Sequence, residues 1–261
     1  MPRQGQGFKG SRFQGIKVSS YKHFSFSLFV LTLLIWLFGN GAFAYFPSPA
    51  LSGASGLTRI PDATVIPYKN WNIAADYGTK TDSAGVSKTT FSYKSSLGAF
   101  YNMELGFIGQ LDETTQQLKD GVYINLKYSP SLGDGTDPLL LAIGVENLAS
   151  KNDTAVYMVA TKPLMQGPFL SFGFMADFIE GKFRPMGMAG IDIPTGSLSI
   201  LADTFLGEKV FQVNAGVRFR ILPTFTLEGR AINILAGDAQ ATTQAKDPKQ
   251  ILVGINWVNP F

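Results

Sequence analysis

The feature that most constrains this chain is a hydrophobic period of two that recurs along most of its length. From position 211 to position 221 the odd-numbered residues are apolar, and the even-numbered residues between them are polar or glycine. The same alternation, with single exceptions, recurs at 122–128, 170–178, 225–231 and 251–257. Because successive side chains of a strand point to opposite faces, each segment would have one apolar and one polar face. We find no comparable stripe at the helical period, so the pattern predicts an all-β fold.

Twelve strands are predicted between the turn signals of the sequence. Their ranges are 70–79, 89–100, 103–110, 120–128, 138–146, 154–162, 168–178, 185–193, 197–204, 209–220, 224–233 and 249–258. Most have about the 9–11 residues that a tilted strand needs to cross a bilayer. We therefore predict a single antiparallel transmembrane β-barrel of about 12 strands, with roughly 10–14 as the expected range.

Aromatic residues stand toward the ends of the apolar strand faces. They include Trp71, Tyr77, Phe211 and Phe219. Such positions are typical of the aromatic girdles of membrane barrels. The alternative is that these residues belong to the core of a soluble barrel or sandwich, because alternation alone does not say which face points outward.

The predicted connections form two alternating sets, as expected when an even number of strands leaves both termini on the periplasmic side. The first set is mostly short and consists of 101–102, 129–137, 163–167, 194–196 and 221–223. The second set is on average longer and more polar and consists of 80–88, 111–119, 147–153, 179–184, 205–208 and 234–248. Short periplasmic turns opposite longer external loops are typical of outer-membrane barrels. None of these loops is long enough to form a large plug.

The beginning of the chain has the pattern of an export signal. A basic stretch at 1–23 precedes an apolar stretch at 24–38, and Ala42 and Ala44 supply the small residues of a cleavage site. We predict cleavage after Ala44. The alternative is an uncleaved anchor, but the apolar stretch is shorter than the ~20 residues of a spanning helix. The predicted domains are a signal peptide at 1–44, an N-terminal periplasmic or rim segment at 45–69, and the barrel at 70–261.

The positive charge of the chain is concentrated in the leader. The whole sequence has a net charge of +3. The leader contains basic residues and no acidic ones, so the remainder is slightly acidic. The charge distribution therefore gives no reason to expect a nucleic-acid partner.

The residue types available for chemistry are few. The single histidine, His23, lies in the leader, and the chain contains no cysteine. These facts exclude Ser–His and Asp–His catalysis, cysteine nucleophiles, and metal sites built on histidine or cysteine. A pair of carboxylates acting as in glycosidases stays open, because acidic residues are numerous. We predict no enzymatic activity, no cofactor and no bound metal.

The polar strand faces carry charged residues of both signs. As predicted lumen-lining residues we name Asp76, Lys94, Glu104, Lys127, Glu146, Lys162, Asp177, Asp203, Arg218, Arg220, Glu228 and Arg230. In a narrow pore such charges would produce a transverse field that orients a polar solute. Alternatively they neutralise one another and fill a closed lumen, and the strand number allows either arrangement. We slightly favour a narrow passage.

The end of the sequence resembles the C-terminal signal of Gram-negative outer-membrane barrels. Val253, Ile255 and Trp257 alternate toward a final Phe261, whereas Asn259 stands where that signal usually has an apolar residue. The resemblance implies recognition by the barrel-assembly machinery. It also implies periplasmic chaperones as partners and outer-membrane lipid as the surroundings.

A second resemblance lies between Ser52 and Ala63, where the sequence reads SGASGLTRIPDA. It resembles the opening motif of the YjbH-type outer-membrane family, which is associated with exopolysaccharide and whose members are generally much longer. The resemblance implies polysaccharide as a partner. The structural alternative is that the Gly and Pro residues only shape a bend at the barrel rim.

Three functions follow from these expectations. The first is an outer-membrane β-barrel that acts as a narrow channel or export-associated pore for small polar solutes or polysaccharide. The second is a non-conducting structural or surface-interaction barrel. The third is a soluble periplasmic barrel that binds an apolar ligand inside.

Overall fold

The computed structural model describes residues 47–81, 85–111, 118–130, 139–148, 150, 153–164, 167–179, 182–208, 210–235 and 249–259. Its strands are β1 (Trp71–Thr81), β2 (Ser87–Phe100), β3 (Met103–Leu111), β4 (Leu118–Tyr128), β5 (Leu140–Glu146), β6 (Asp153–Pro163), β7 (Phe169–Ile179), β8 (Lys182–Thr195), β9 (Leu198–Gly207), β10 (Val210–Leu222), β11 (Phe225–Ile232) and β12 (Lys249–Asn259). Within this part of the chain we find no helix that is long and apolar enough to span a membrane.

The strands form one closed antiparallel barrel in which each strand pairs with its neighbours in sequence. Strand β1 closes the barrel by pairing with β12 from Trp71↔Asn259 to Thr81↔Lys249. The weakest seam joins β4 to β5, with paired residues only from Leu126↔Val145 to Tyr128↔Ile143. The predicted all-β, twelve-stranded antiparallel barrel is therefore confirmed, with strand bounds that differ by a few residues.

The barrel carries apolar side chains outside and polar side chains inside. On β10, Gln212, Asn214 and Arg218 are buried, while Phe211 and Val217 are 43% and 48% exposed. A soluble protein would show the reverse arrangement, because large apolar surfaces exposed to water are unfavourable. This polarity is that of a barrel whose outer surface faces lipid, and its interior does not suit a large apolar ligand.

We call the end of the barrel at which β1 begins the near end, and the opposite end the far end. Two-residue turns at the near end join β2 to β3, β8 to β9 and β10 to β11. Asn102 and Gly196 take positive φ angles of 63° and 60° in two of them. Such angles are typical of the tight turns that join twisted strands.

An aromatic cluster lies on the outer surface at the near end. The ring of Trp257 makes an edge contact with Trp71 at 4.9 Å and stacks on Phe225 at 6.0 Å. Tyr77, farther along β1, is 61% exposed. Aromatic residues therefore stand on the outer face, where the sequence pattern predicts a girdle.

Residues 47–66, which we call the internal segment, occupy the interior of the barrel. The segment enters and leaves at the near end: Asn72 donates to the carbonyl of Pro47 at 3.3 Å, and the amide of Lys69, three residues after the segment, donates to the carbonyl of Gly98 at 2.9 Å. Between them Ala50, Ser55, Thr58 and Ile60 are completely buried, to the nearest per cent. These residues therefore lie inside the barrel, whereas the sequence pattern suggested a segment in the periplasm or at the rim. A segment with many Gly, Pro and Ser residues shows no periodicity that would reveal its partners.

Candidate functional site: the barrel interior

Two wall carboxylates bind the backbone of the internal segment. Glu104 on β3 accepts hydrogen bonds from the amide and hydroxyl of Ser55 at 2.7 and 2.6 Å, and from the amide of Ile66 at 3.0 Å. Asp203 on β9 accepts from the amides of Thr58 and Arg59, both at 2.8 Å. Hydrogen bonds to a charged acceptor are stronger than those between neutral groups. These two carboxylates therefore hold the segment on opposite sides of the lumen.

Wall cations bind the carbonyl oxygens of the same segment. Lys94 donates to Ala50 at 3.2 Å, Arg218 to Gly56 at 3.2 Å, and Arg230 to Pro49 at 2.9 Å. Each side chain lies on a different strand, and all three are buried. A segment without regular secondary structure must pair its buried backbone groups elsewhere, and here the barrel wall supplies the partners.

Lys127 on β4 links Ser55, in the middle of the internal segment, to Asp62, nearer its end. Its ammonium donates to the carbonyl of Ser55 at 2.8 Å and also contacts the Ser55 hydroxyl. It lies 3.7 Å from the carboxylates of both Asp62 and Glu104. The two carboxylates and the carbonyl oxygen offset the free-energy cost of removing this cation from water.

Five of the buried charged side chains form a continuous chain of alternating sign. Asp76 lies 2.7 Å from Lys94 and 2.8 Å from Arg230. Arg230 also contacts Glu228, which pairs with Arg218 at 2.9 Å. The facing arrangement of Arg218 and Glu228 across β10 and β11 is the one expected from the strand order. Because each member of this chain has a neighbour of opposite charge, removal of one member leaves an uncompensated charge.

Apolar residues of the internal segment pack against another part of the wall. Leu57, Ile60 and Ala63 belong to a cluster whose wall members lie on β5 to β9. Gly190 on β8 makes room for this packing, since a Cβ atom there would stand 2.4 Å from Leu57. The interior is therefore divided between an apolar side and a side rich in buried cations.

One glycine fixes the path of the internal segment. Gly53 has a φ of +95°, which L-amino acids with side chains rarely adopt. A Cβ atom there would also lie 3.0 Å from the Asn125 amide and 3.2 Å from Ile108. The backbone conformation and the close neighbours therefore explain why a glycine stands at this position of the motif from Ser52 to Ala63.

Beyond the internal segment the barrel interior holds a cavity of about 350 Å³, which we call the far cavity. Its walls include Lys80, Gln110 and Gln250, which stand toward the far ends of β1, β3 and β12. Ser52 and Arg59 of the internal segment contribute to its lining. The interior is therefore filled by the protein's own backbone in one part and hollow in the other.

The structure places most of the predicted lumen residues in the buried interior. Those less than 10% exposed are Asp76, Lys94, Glu104, Lys127, Glu146, Asp203, Arg218, Glu228 and Arg230. Lys162, Asp177 and Arg220 are only partly buried. Eight of these nine bind the internal segment or belong to the chain of ion pairs. Glu146 lines the far cavity, beside Ser52 of the internal segment.

Neutral residues that the sequence analysis did not single out also bind the internal segment. Ser96 donates to the carbonyl of Gly53 at 2.8 Å, and Asn125 to that of Ser52 at 2.6 Å. Thr161 accepts from the amide of Ala63 at 2.9 Å. Their positions on the polar strand faces were a signal of burial, but short neutral side chains do not indicate a partner by themselves.

Other predicted sites are placed only in part. Val253, Ile255 and Trp257 of the proposed assembly signal are exposed on the outer face of β12. Phe261 and the cleavage-site residues Ala42 and Ala44 lie outside the described residues. Within the described residues, no group of three or more His, Cys, Asp or Glu side chains is arranged to hold a metal ion.

The fold and the interior define a class: a twelve-stranded antiparallel barrel with an apolar exterior and a charged, partly filled lumen. Two solved structures have a similar fold. One is a KdgM porin in complex with disordered oligogalacturonate, with a TM-score of 0.52, 9% identity, and coverage of 71% of this chain and 98% of that chain. The other is a KdgM porin, with a TM-score of 0.50, 10% identity, and coverage of 70% and 98%. At such identities the likeness establishes the fold alone.

No family model matches the chain, and no curated protein matches it. The resemblance of the Ser52–Ala63 motif to the YjbH-type family is therefore not confirmed.

Proposed function

We propose that the protein is an outer-membrane channel for small polar solutes, including oligosaccharides, and that it has no enzymatic activity. The observation that carries the proposal is the polarity of the barrel, whose exposed surface is apolar and whose buried surface is charged. The far cavity supplies space for a polar solute, and the similar fold of the KdgM porins supports a transport role.

In this proposal the far end faces outward from the cell and the near end faces the periplasm. The predicted loop at 234–248 would then be external, and the two-residue turn after β8 periplasmic. The orientation agrees with the predicted export signal and with partners in the periplasm and assembly machinery.

The absence of cysteine makes this orientation directly testable. We expect Thr243→Cys to react with a membrane-impermeant maleimide on intact cells. Ser197→Cys, in the near-end turn, should react only after the outer membrane is opened. The reverse labelling pattern would overturn the orientation.

Passage through the barrel requires the internal segment to make way. Conductance should therefore be recorded in planar bilayers for the chain from Tyr45 onward and for the same chain with Glu104→Gln. We expect stepwise currents, larger or more frequent in the variant, because Glu104 binds both Ser55 and Ile66. An Arg220→Glu variant should shift ion selectivity if that side chain borders the passage.

A non-conducting barrel is the second candidate, and the buried internal segment favours it. Its many hydrogen bonds to the wall give the lumen the character of a packed core. Urea-resistant, heat-modifiable migration would first show that both proteins are folded. Silence from the original chain and from Glu104→Gln, each folded and inserted, would overturn the channel and leave a structural or surface-interaction role.

A further inference from the structure

The far cavity contains polar groups that the protein itself does not satisfy. Gln212 on β10 is 3% exposed, and its Nε2 has no hydrogen-bond partner in the structure. Glu146 on β5 is 7% exposed, and its Oε1 likewise has none. Buried polar atoms are normally hydrogen-bonded, so exceptions that line a cavity point to a bound molecule.

The two groups lie on strands five places apart in a closed ring of twelve, and therefore on nearly opposite walls. Gln212 offers a donor and Glu146 an acceptor. A molecule that spans the cavity and carries both acceptor and donor groups would satisfy both. Hydroxyl groups have this double character, because each can donate and accept.

The charges of the far cavity balance. Among its described residues, the lining contains three basic side chains and three carboxylates: Arg59, Lys80, Arg184, Glu146, Asp153 and Asp177. One pair is direct, since Arg184 lies 3.2 Å from Asp177. A polyanion would be attracted by the cations and repelled by the carboxylates, so the lining does not favour a solute with net charge of either sign.

An apolar surface lies beside these polar groups. Phe205, Met175 and Met186 contribute to the lining, and the guanidinium of Arg59 stands 5.8 Å from the ring centre of Phe205. Sugar rings present hydroxyl groups at their edges and C–H groups on their faces. Such a ring could use the polar walls and the apolar surface together.

We propose that the far cavity is a binding site for a small hydroxyl-rich solute without net charge, held between Gln212 and Glu146. The proposal rests on the proposed function in that the solute would be one the channel admits. It differs from the KdgM complex, whose partner, an oligogalacturonate, is a polyanion.

The test is isothermal titration calorimetry on the folded barrel in detergent, with maltose, lactose and sucrose as uncharged probes and digalacturonate as the charged one. We expect at least one uncharged disaccharide to bind, and digalacturonate to bind about tenfold more weakly or not at all. Equal or tighter binding of digalacturonate, or no binding of any uncharged disaccharide, would overturn the proposal.

Two variants assign the binding to these side chains. We expect Gln212→Leu and Glu146→Gln each to lower the affinity for the disaccharide about three- to tenfold, which is the typical effect of losing one hydrogen bond. We expect resistance to urea to change little in either variant, because Gln212 Nε2 and Glu146 Oε1 have no hydrogen-bond partner in the protein. Glu208→Gln, on an exposed residue after β9, is the matched control and should leave affinity unchanged.

Binding and conductance separate this proposal from the function proposed above. Currents without disaccharide binding would contradict the proposed binding site and support the proposed channel function. Binding without currents would support the binding site and contradict the channel function. Unchanged affinity in both cavity variants would also overturn the assignment to Gln212 and Glu146.

Discussion

The filled part of the interior and the far cavity use similar side chains in opposite ways. Around the internal segment, hydrogen bonds join Glu104, Asp203 and Lys127 to backbone groups of the protein itself. In the far cavity, Glu146 and Gln212 each keep an atom without a partner. The same inward strand faces thus build a packed core where the internal segment fills the space between them, and a polar cavity where the segment only borders that space.

The difference shows what determines the role of an inward charge. In the filled part a charged side chain is surrounded by protein, and its removal leaves a buried group unpaired. In the far cavity the Arg184–Asp177 pair is partly exposed, and solvent screens it. Four substitutions or conditions test this comparison, from the largest expected effect to the smallest.

The largest effect is expected from Arg230→Met, which removes a cation bound to Asp76, Glu228 and the carbonyl of Pro49. We expect a loss of about 3–5 kcal/mol in the free energy of unfolding. Arg184→Met is the matched control and should cost at most about 1 kcal/mol. Urea unfolding, followed by heat-modifiable migration, measures the loss of stability in both variants. Equal losses would contradict the distinction between the filled part of the interior and the far cavity.

Glu104→Gln should have the next largest effect. It replaces a carboxylate that accepts three hydrogen bonds from the internal segment, so we expect a loss of about 2–3 kcal/mol. Glu146→Gln makes the same change in the far cavity, where fewer hydrogen bonds to the protein are at stake, and should cost at most about 1 kcal/mol. A larger loss from the cavity variant would show that Glu146 has a structural role.

Gly53→Ala tests the path of the internal segment. We expect a loss of about 1–2 kcal/mol, because the positive φ is unfavourable for alanine. Gly187→Ala is the control: its φ is not in the positive region and the nearest atom to a Cβ is 3.6 Å away. The control should change stability by less than about 0.5 kcal/mol; similar losses in both variants would contradict the role of Gly53.

The smallest effect concerns salt. Raising the salt concentration to about 1 M shortens the screening length to ~3 Å. We expect the small cost of Arg184→Met to vanish there, while the cost of Arg230→Met stays nearly constant. Urea unfolding at low and high salt measures both, and a parallel decrease would mean that water reaches the ion-pair chain.

Much of the fold was predictable from the sequence because strand periodicity is local. The range predicted for the tenth strand was 209–220, and β10 runs from Val210 to Leu222. Alternation along each strand also identified most of the charged residues that are buried. Adjacent strands are neighbours in sequence, so the facing of Arg218 and Glu228 could be read from strand order.

The position of the internal segment was not predictable in this way. Ser55 binds Glu104 across 49 positions of sequence, Thr58 binds Asp203 across 145, and Arg230 binds Pro49 across 181. None of these contacts leaves a periodic trace, because the segment has no regular secondary structure. The motif around Gly53 was visible in the sequence, but its place inside the barrel was not.

The sequence by itself determined that this chain forms about twelve alternating strands and which strand residues carry charge, since both follow from local alternation. Only the tertiary structure decided which of those charges hold the chain's own backbone and which line a cavity. The physical reason is that a buried charge must find a partner wherever the fold brings one, and for most of these residues that partner comes from a distant part of the chain.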